Sequence, residues 1–139
     1  MEVKIFLTAD YASVDSANKL NILGTFTQIH AHTLPAVVIQ FYVILQLAFD
    51  DTEKGHRIVF MRLHNPSGTE IATLSAEFDI PDTRSGYTAH VNILTPLHNI
   101  VFSELGSYEF RLFIGEDFQT SNKIEVEDFR ALPSTNNEE

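Results

Sequence analysis

The 139 residues suit one domain of ordinary size, long enough to bury about two-thirds of the surface its unfolded chain would expose. Hydrophobic residues make up 44% and charged residues 20%; cysteine is absent, which removes disulfides, thiolate metal sites, iron–sulfur clusters and a cysteine nucleophile together. Nineteen acidic side chains against nine scattered basic ones give a net charge of −10, the wrong field for nucleic acid or an anionic membrane.

The opening Met1-Glu2-Val3-Lys4-Ile5-Phe6 lacks the basic and apolar regions of a secretory signal, so a cytoplasmic location is expected. The same stretch starts a period-two pattern, with Val3, Ile5, Leu7 and Ala9 opposing Lys4, Phe6, Thr8 and Asp10. A turn at Asp15-Ser16-Ala17-Asn18 leads to a second strand from Leu20 to Ile29. The apolar run from Leu34 to Phe49 is broken by Pro35, Gln40 and Gln46 and falls short of the ~20 residues a membrane helix needs. Between 37 and 49 every odd position is apolar, from Val37 and Ile39 to Leu47 and Phe49, which predicts one long strand with a single buried face. Val59, Met61 and Leu63 continue the alternation after the Asp50–Gly55 turn. Ala72, Leu74, Ala76, Phe78 and Ile80 then alternate with polar residues, the cleanest one-sided pattern in the chain. Further strands are predicted over 87–94, 108–115 and 119–126, with 95–102 as a helical turn or short edge strand and 131–139 as a disordered tail.

Strands this short and regular predict an all-β domain over 1–130, an antiparallel β-sandwich, with a small β-barrel as the alternative. Leu105-Gly106-Ser107-Tyr108-Glu109-Phe110 resembles the tyrosine corner of immunoglobulin-like domains and favours the sandwich. Asp10-Tyr11-Ala12-Ser13-Val14-Asp15 followed by Lys19-Leu20-Asn21-Ile22-Leu23-Gly24-Thr25-Phe26 resembles the opening of a bacterial family catalogued as a domain of unknown function. Weaker likeness extends to 63–68 and 106–108. The resemblance implies an all-β fold and brings no activity or functional residue.

Six histidines raise the question of a metal. His30 and His32, two apart, share one strand face, the spacing of a metal pair that still needs a third ligand. The acidic loops at 50–53, 79–82 and 116–117 match no ordered calcium loop, and turn chemistry accounts for their composition. No nucleophile elbow and no phosphate-cradling glycine loop occurs, so neither an enzyme nor a cofactor is expected. The remaining signal is apolar residues on the faces opposite the predicted core: Phe6, Val38, Tyr42, Ile44, Ile58, Phe60 and Phe113. They predict a surface for self-association or a protein partner, centred on Tyr42, Ile44 and Phe60 with Val38 and Ile58. The alternative function is a ligand-, carbohydrate- or metal-binding module using loops at one end of the sandwich.

Overall fold

The alternating runs become nine β-strands among residues 1–129, which the computed structural model describes: β1 (Glu2–Val14), β2 (Leu20–Phe26), β3 (Gln28–Ala31), β4 (Ala36–Phe49), β5 (His56–His64), β6 (Glu70–Asp79), β7 (Ala89–Phe102), β8 (Gly106–Ile114) and β9 (Asp117–Asp128). The tail expected over 131–139 lies outside the described residues. A first sheet has the order β2-β1-β4-β7 and a second the order β3-β9-β8-β5-β6. Every pairing is antiparallel except β3 with β9. The two sheets close over one interior, so the chain is an all-β sandwich. Two-sheet packing follows from the period-two pattern, since one face of each strand must leave water.

The interior is filled from both sides. Phe41, Val43, Leu45, Leu47 and Phe49 of β4 meet Val59, Met61 and Leu63 of β5 and Phe110 and Leu112 of β8, all between 0% and 1% exposed. Each such side chain withdrawn from water contributes about 1.5–3 kcal/mol. Phe41 is held edge-on by Phe26 and Phe110, at ring separations of 5.6 and 6.5 Å. The alternating apolar side of β6 (Ala72, Leu74, Ala76, Phe78) lies against this core as the sequence predicts. Tyr108 is buried at the entry to β8, where its hydroxyl donates to Glu104 O (2.9 Å) and accepts from Glu104 N (3.1 Å). That closure satisfies a buried hydroxyl and pins the β7–β8 connection.

Three expectations need correction. The stretch from Leu20 to Ile29 is two strands: the chain leaves the first sheet at Phe26 and joins the second at Gln28, with Thr27 O accepting from Glu125 N at the crossing. Residues 95–102 take the edge-strand alternative over the helical turn, but as the continuation of β7 through Pro96, which an edge strand tolerates because a missing N–H facing outward breaks no ladder bond. The third concerns phase. Along β4, Ala36 and Val38 pack on the core, and so do Phe41, Val43 and Leu45, so the inward parity switches between 38 and 41. Val37 and Ile39, expected inside, are 54% and 76% exposed. β7 switches in the same place, from Leu97 to Ile100, around Asn99 at φ 54°. Because both partners shift together, the register of the pair stays constant on either side of the Ile39–Asn99 level.

A matching switch occurs in the β1–β2 hairpin, at Asp10 opposite Gly24, where Gly24 has φ 73°. Beyond it the hairpin folds back over the outer face of the first sheet. Ala9 and Ala12 are buried there with Ile44, and Ile5, Leu7, Leu20, Ile22, Tyr42 and Leu94 surround them. The tip reaches β7, where Asn92 Nδ2 donates to Asn18 O (3.5 Å) and Oδ1 (3.4 Å). The small side chains at 9 and 12 let the backbone approach the sheet. Asp15 closes the tip, its Oδ1 accepting from Ala17 N (2.9 Å) and Lys19 N (3.0 Å).

Candidate functional site: the outer faces of the sheets

The expected contact residues do not form one patch. Ile44 is 0% exposed because the hairpin covers it, and Val38 packs into the main core because of the phase switch. Both are removed from the candidate surface. Phe6 also turns inward, because the register shift between Val3 and Ile5 moves it to the core side. Tyr42 is half-buried at the margin of the hairpin, its ring edge-on to Tyr11 at 5.5 Å. Ile58 and Phe60 are half-buried on the outer face of the second sheet, a different surface.

That second face is built from the outward residues of β5 and β8. The Arg62 guanidinium carbon lies 5.3 Å from the Phe60 ring centre and 5.5 Å from that of Phe113, and Phe113 meets Phe118 at 5.6 Å. The cation therefore caps two aromatic faces. Arg111 stands directly across from Arg62, and each is answered by an acid: Arg62 by Glu70 at 3.5 Å, Arg111 by Glu109. The Glu109 carboxyl is held below its usual range first by the Arg111 hydrogen bond, and that of Glu70 first by the Thr73 hydroxyl. The charges on this face satisfy one another.

His30 and His32 have separate neighbours. His30 Nε2 lies 3.5 Å from Glu127, and the His32 ring stacks on Phe129 at 4.0 Å. Among the described residues no group of three or more His, Asp or Glu gathers closely enough to hold an ion. The acidic loop after β4 is spent on its own turn. Asp50 Oδ1 accepts from Thr52 N, Thr52 Oγ1 and Glu53 N, while Glu53 Oε1 accepts from Asp50 N and the Met1 ammonium. The Asp50 carboxyl is lowered first by the Thr52 hydroxyl, and that of Glu53 first by the Asp50 backbone N–H. His56 is raised, first by its hydrogen bond to Asp79 at 2.9 Å, and stands exposed on the strand surface. Among the described residues these groups form turn and strand pairs and converge on no common cleft.

The surface that parity missed lies on the first sheet. Val37 and Val101 sit opposite each other across β4 and β7 and are 54% and 45% exposed; Ile39 lies two residues on. Tyr11 and Leu23, paired across the hairpin, are 52% and 69% exposed. A sequence signal for this face exists in the charges rather than in the apolar residues. Positions 20–49 and 85–103 contain no Asp, Glu, Lys or Arg, and they supply all of β2, β3, β4 and β7. Three of the four strands of the first sheet are thus uncharged in a molecule of net charge −10.

Among the described residues no helix is long and apolar enough to cross a membrane. No curated protein matches the chain. A family model does match, over residues 4–127, and it spans the structure from β1 into β9. By that match the chain belongs to the family of unknown function DUF6941.

Proposed function

We propose that this chain is a non-catalytic contact domain that self-associates through the outer face of its first sheet. The observation that carries the reading is the segregation of charge. All 28 formal charges, 9 basic and 19 acidic, fall outside 20–49 and 85–103. Two copies of an acidic molecule repel wherever their carboxylates approach, and the part of the face built from β4 and β7, which carry no formal charge, is where that repulsion is least. The same face exposes Val37, Ile39 and Val101 beside Tyr11 and Leu23. Burying several such side chains at ~1.5–3 kcal/mol each offsets the cost of association. The second sheet offers a poorer contact, because Arg62 already caps Phe60 and Phe113, and Arg62 and Arg111 are each paired with an acid.

Placing acids on the face tests this. The double variant Ile39→Glu, Val101→Glu is expected to halve the apparent mass in sedimentation while its melting temperature stays within a few degrees of the parent. Both sites are exposed, so the fold loses little. A parent that sediments as a single chain, or a variant whose mass does not change, contradicts the proposal.

A further inference from the structure

The four open edges of the two sheets are unequal. β3 has four residues, and β6 carries Glu70, Glu77 and Asp79. β2 has seven residues and bends at Gly24 within the folded-back hairpin. Shortness, acidic side chains and bending are the devices that stop sheet edges from pairing with other chains. β7 has fourteen residues, and among the described residues β4 is its one hydrogen-bonded neighbour. Apart from His90 and His98 it contains no ionisable side chain. Pro96 and the left-handed Asn99 interrupt only its second half; ahead of them the hairpin tip touches the Asn92 side chain and not the backbone. Residues 89–95 before the proline are a regular ladder on β4.

We propose that this edge of β7 pairs antiparallel with the same edge of a second copy, joining two first sheets into one continuous sheet. The inference rests on the reading that the chain self-associates, but it uses a different surface from Ile39 and Val101. The backbone supplies the bonds. Pro96 has no N–H to give Tyr42 across the ladder, so its nitrogen faces outward, and alternation turns the N–H and C=O groups of His90, Asn92 and Leu94 outward too. A two-fold axis at Asn92 sets His90 of one copy opposite Leu94 of the other. It repeats every contact, giving about six backbone hydrogen bonds. The occupant is a second copy because an uncharged edge is what two molecules of charge −10 can bring together. Pro96 then ends the ladder, and the contact closes on itself because the two-fold axis uses the β7 edge of each copy once. With the face contact it makes a tetramer, a dimer of dimers.

The test uses His90, whose side chain is exposed and whose N–H lies on the outward parity. His90→Pro removes an edge donor without taking a bond from β4. His90→Glu places an acid on the contact and decides the matter should the proline variant fail to fold. Each is expected to halve the sedimenting mass with an unchanged circular dichroism spectrum. Combined with Ile39→Glu, Val101→Glu, either is expected to give the single chain. A folded His90→Glu that keeps the parent's mass, while Ile39→Glu, Val101→Glu lowers it, overturns the edge pairing and leaves the face contact standing. The reverse pattern supports the edge and overturns the face.

Discussion

Ile44→Ala is expected to cost about 2–5 kcal/mol of stability, and Ile39→Ala, five residues earlier on the same strand, within about 0.5 kcal/mol. Urea unfolding at a protein concentration low enough to exclude association measures both. The contrast comes from the hairpin. Ile44 points to the outer face of the first sheet, where alternation alone would leave it wet, yet it is 0% exposed beneath Ala9, Ala12, Leu20 and Ile22. Removing its side chain opens a cavity between sheet and hairpin that rigid backbone on both sides cannot fill. Ile39 points the same way and is 76% exposed, because the hairpin does not extend over it. Equal costs at the two positions contradict this account of the hairpin.

Gly24→Ala is expected to cost about 1–3 kcal/mol, with part of the loss recovered by Asp10→Ala in the same chain. Two penalties act at this position. The first is the backbone, since φ 73° is left-handed and strains any side chain. The second is space, because a methyl group at 24 would run into the Asp10 side chain from its carboxylate to its Cβ. Gly68 separates the two. It has φ 86° and open space where a Cβ would stand, so Gly68→Ala bears the backbone penalty alone. Thermal melts of the three variants and the double variant are expected to rank Gly24→Ala lowest of the single substitutions. A Gly24→Ala no worse than Gly68→Ala would mean that Asp10 gives way freely and does not set the hairpin's bend.

The period of two carries most of the fold. It places Phe41 to Phe49, Val59 to Leu63 and the apolar side of β6 correctly, because each run is straight and one side of it is dry. It misplaces Val37, Val38 and Ile39, and the reason is physical. The phase reversal at Ile39–Asn99 involves a pair 60 positions apart in the chain, and neither residue shows it locally. Asn99 is a residue type that accepts a left-handed backbone, but it does so in many turns that reverse nothing. Ile44 fails for a different reason. Its cover is the hairpin at 10–24, and a sequence pattern reports which residues share a face without reporting what lies over that face. The Tyr108 closure was legible because it is local, four residues from hydroxyl to backbone. The proposed contact face stands out in charge rather than in hydrophobicity. Apolar residues outside the core are common on any sheet, whereas a run of 30 residues from 20 to 49 without one formal charge is the rarer signal.

The absence of cysteine allows a direct test of whether the uncharged face joins two copies. A single cysteine placed at Ile39 is the only thiol in the molecule, and one placed at Phe118, 56% exposed on the second sheet, is its counterpart. With a short bis-maleimide, the Ile39→Cys protein is expected to give a covalent pair in high yield and Phe118→Cys to stay largely single. Equal yields at the two positions, or a covalent pair from Phe118→Cys alone, would contradict the assignment of the contact to the first sheet.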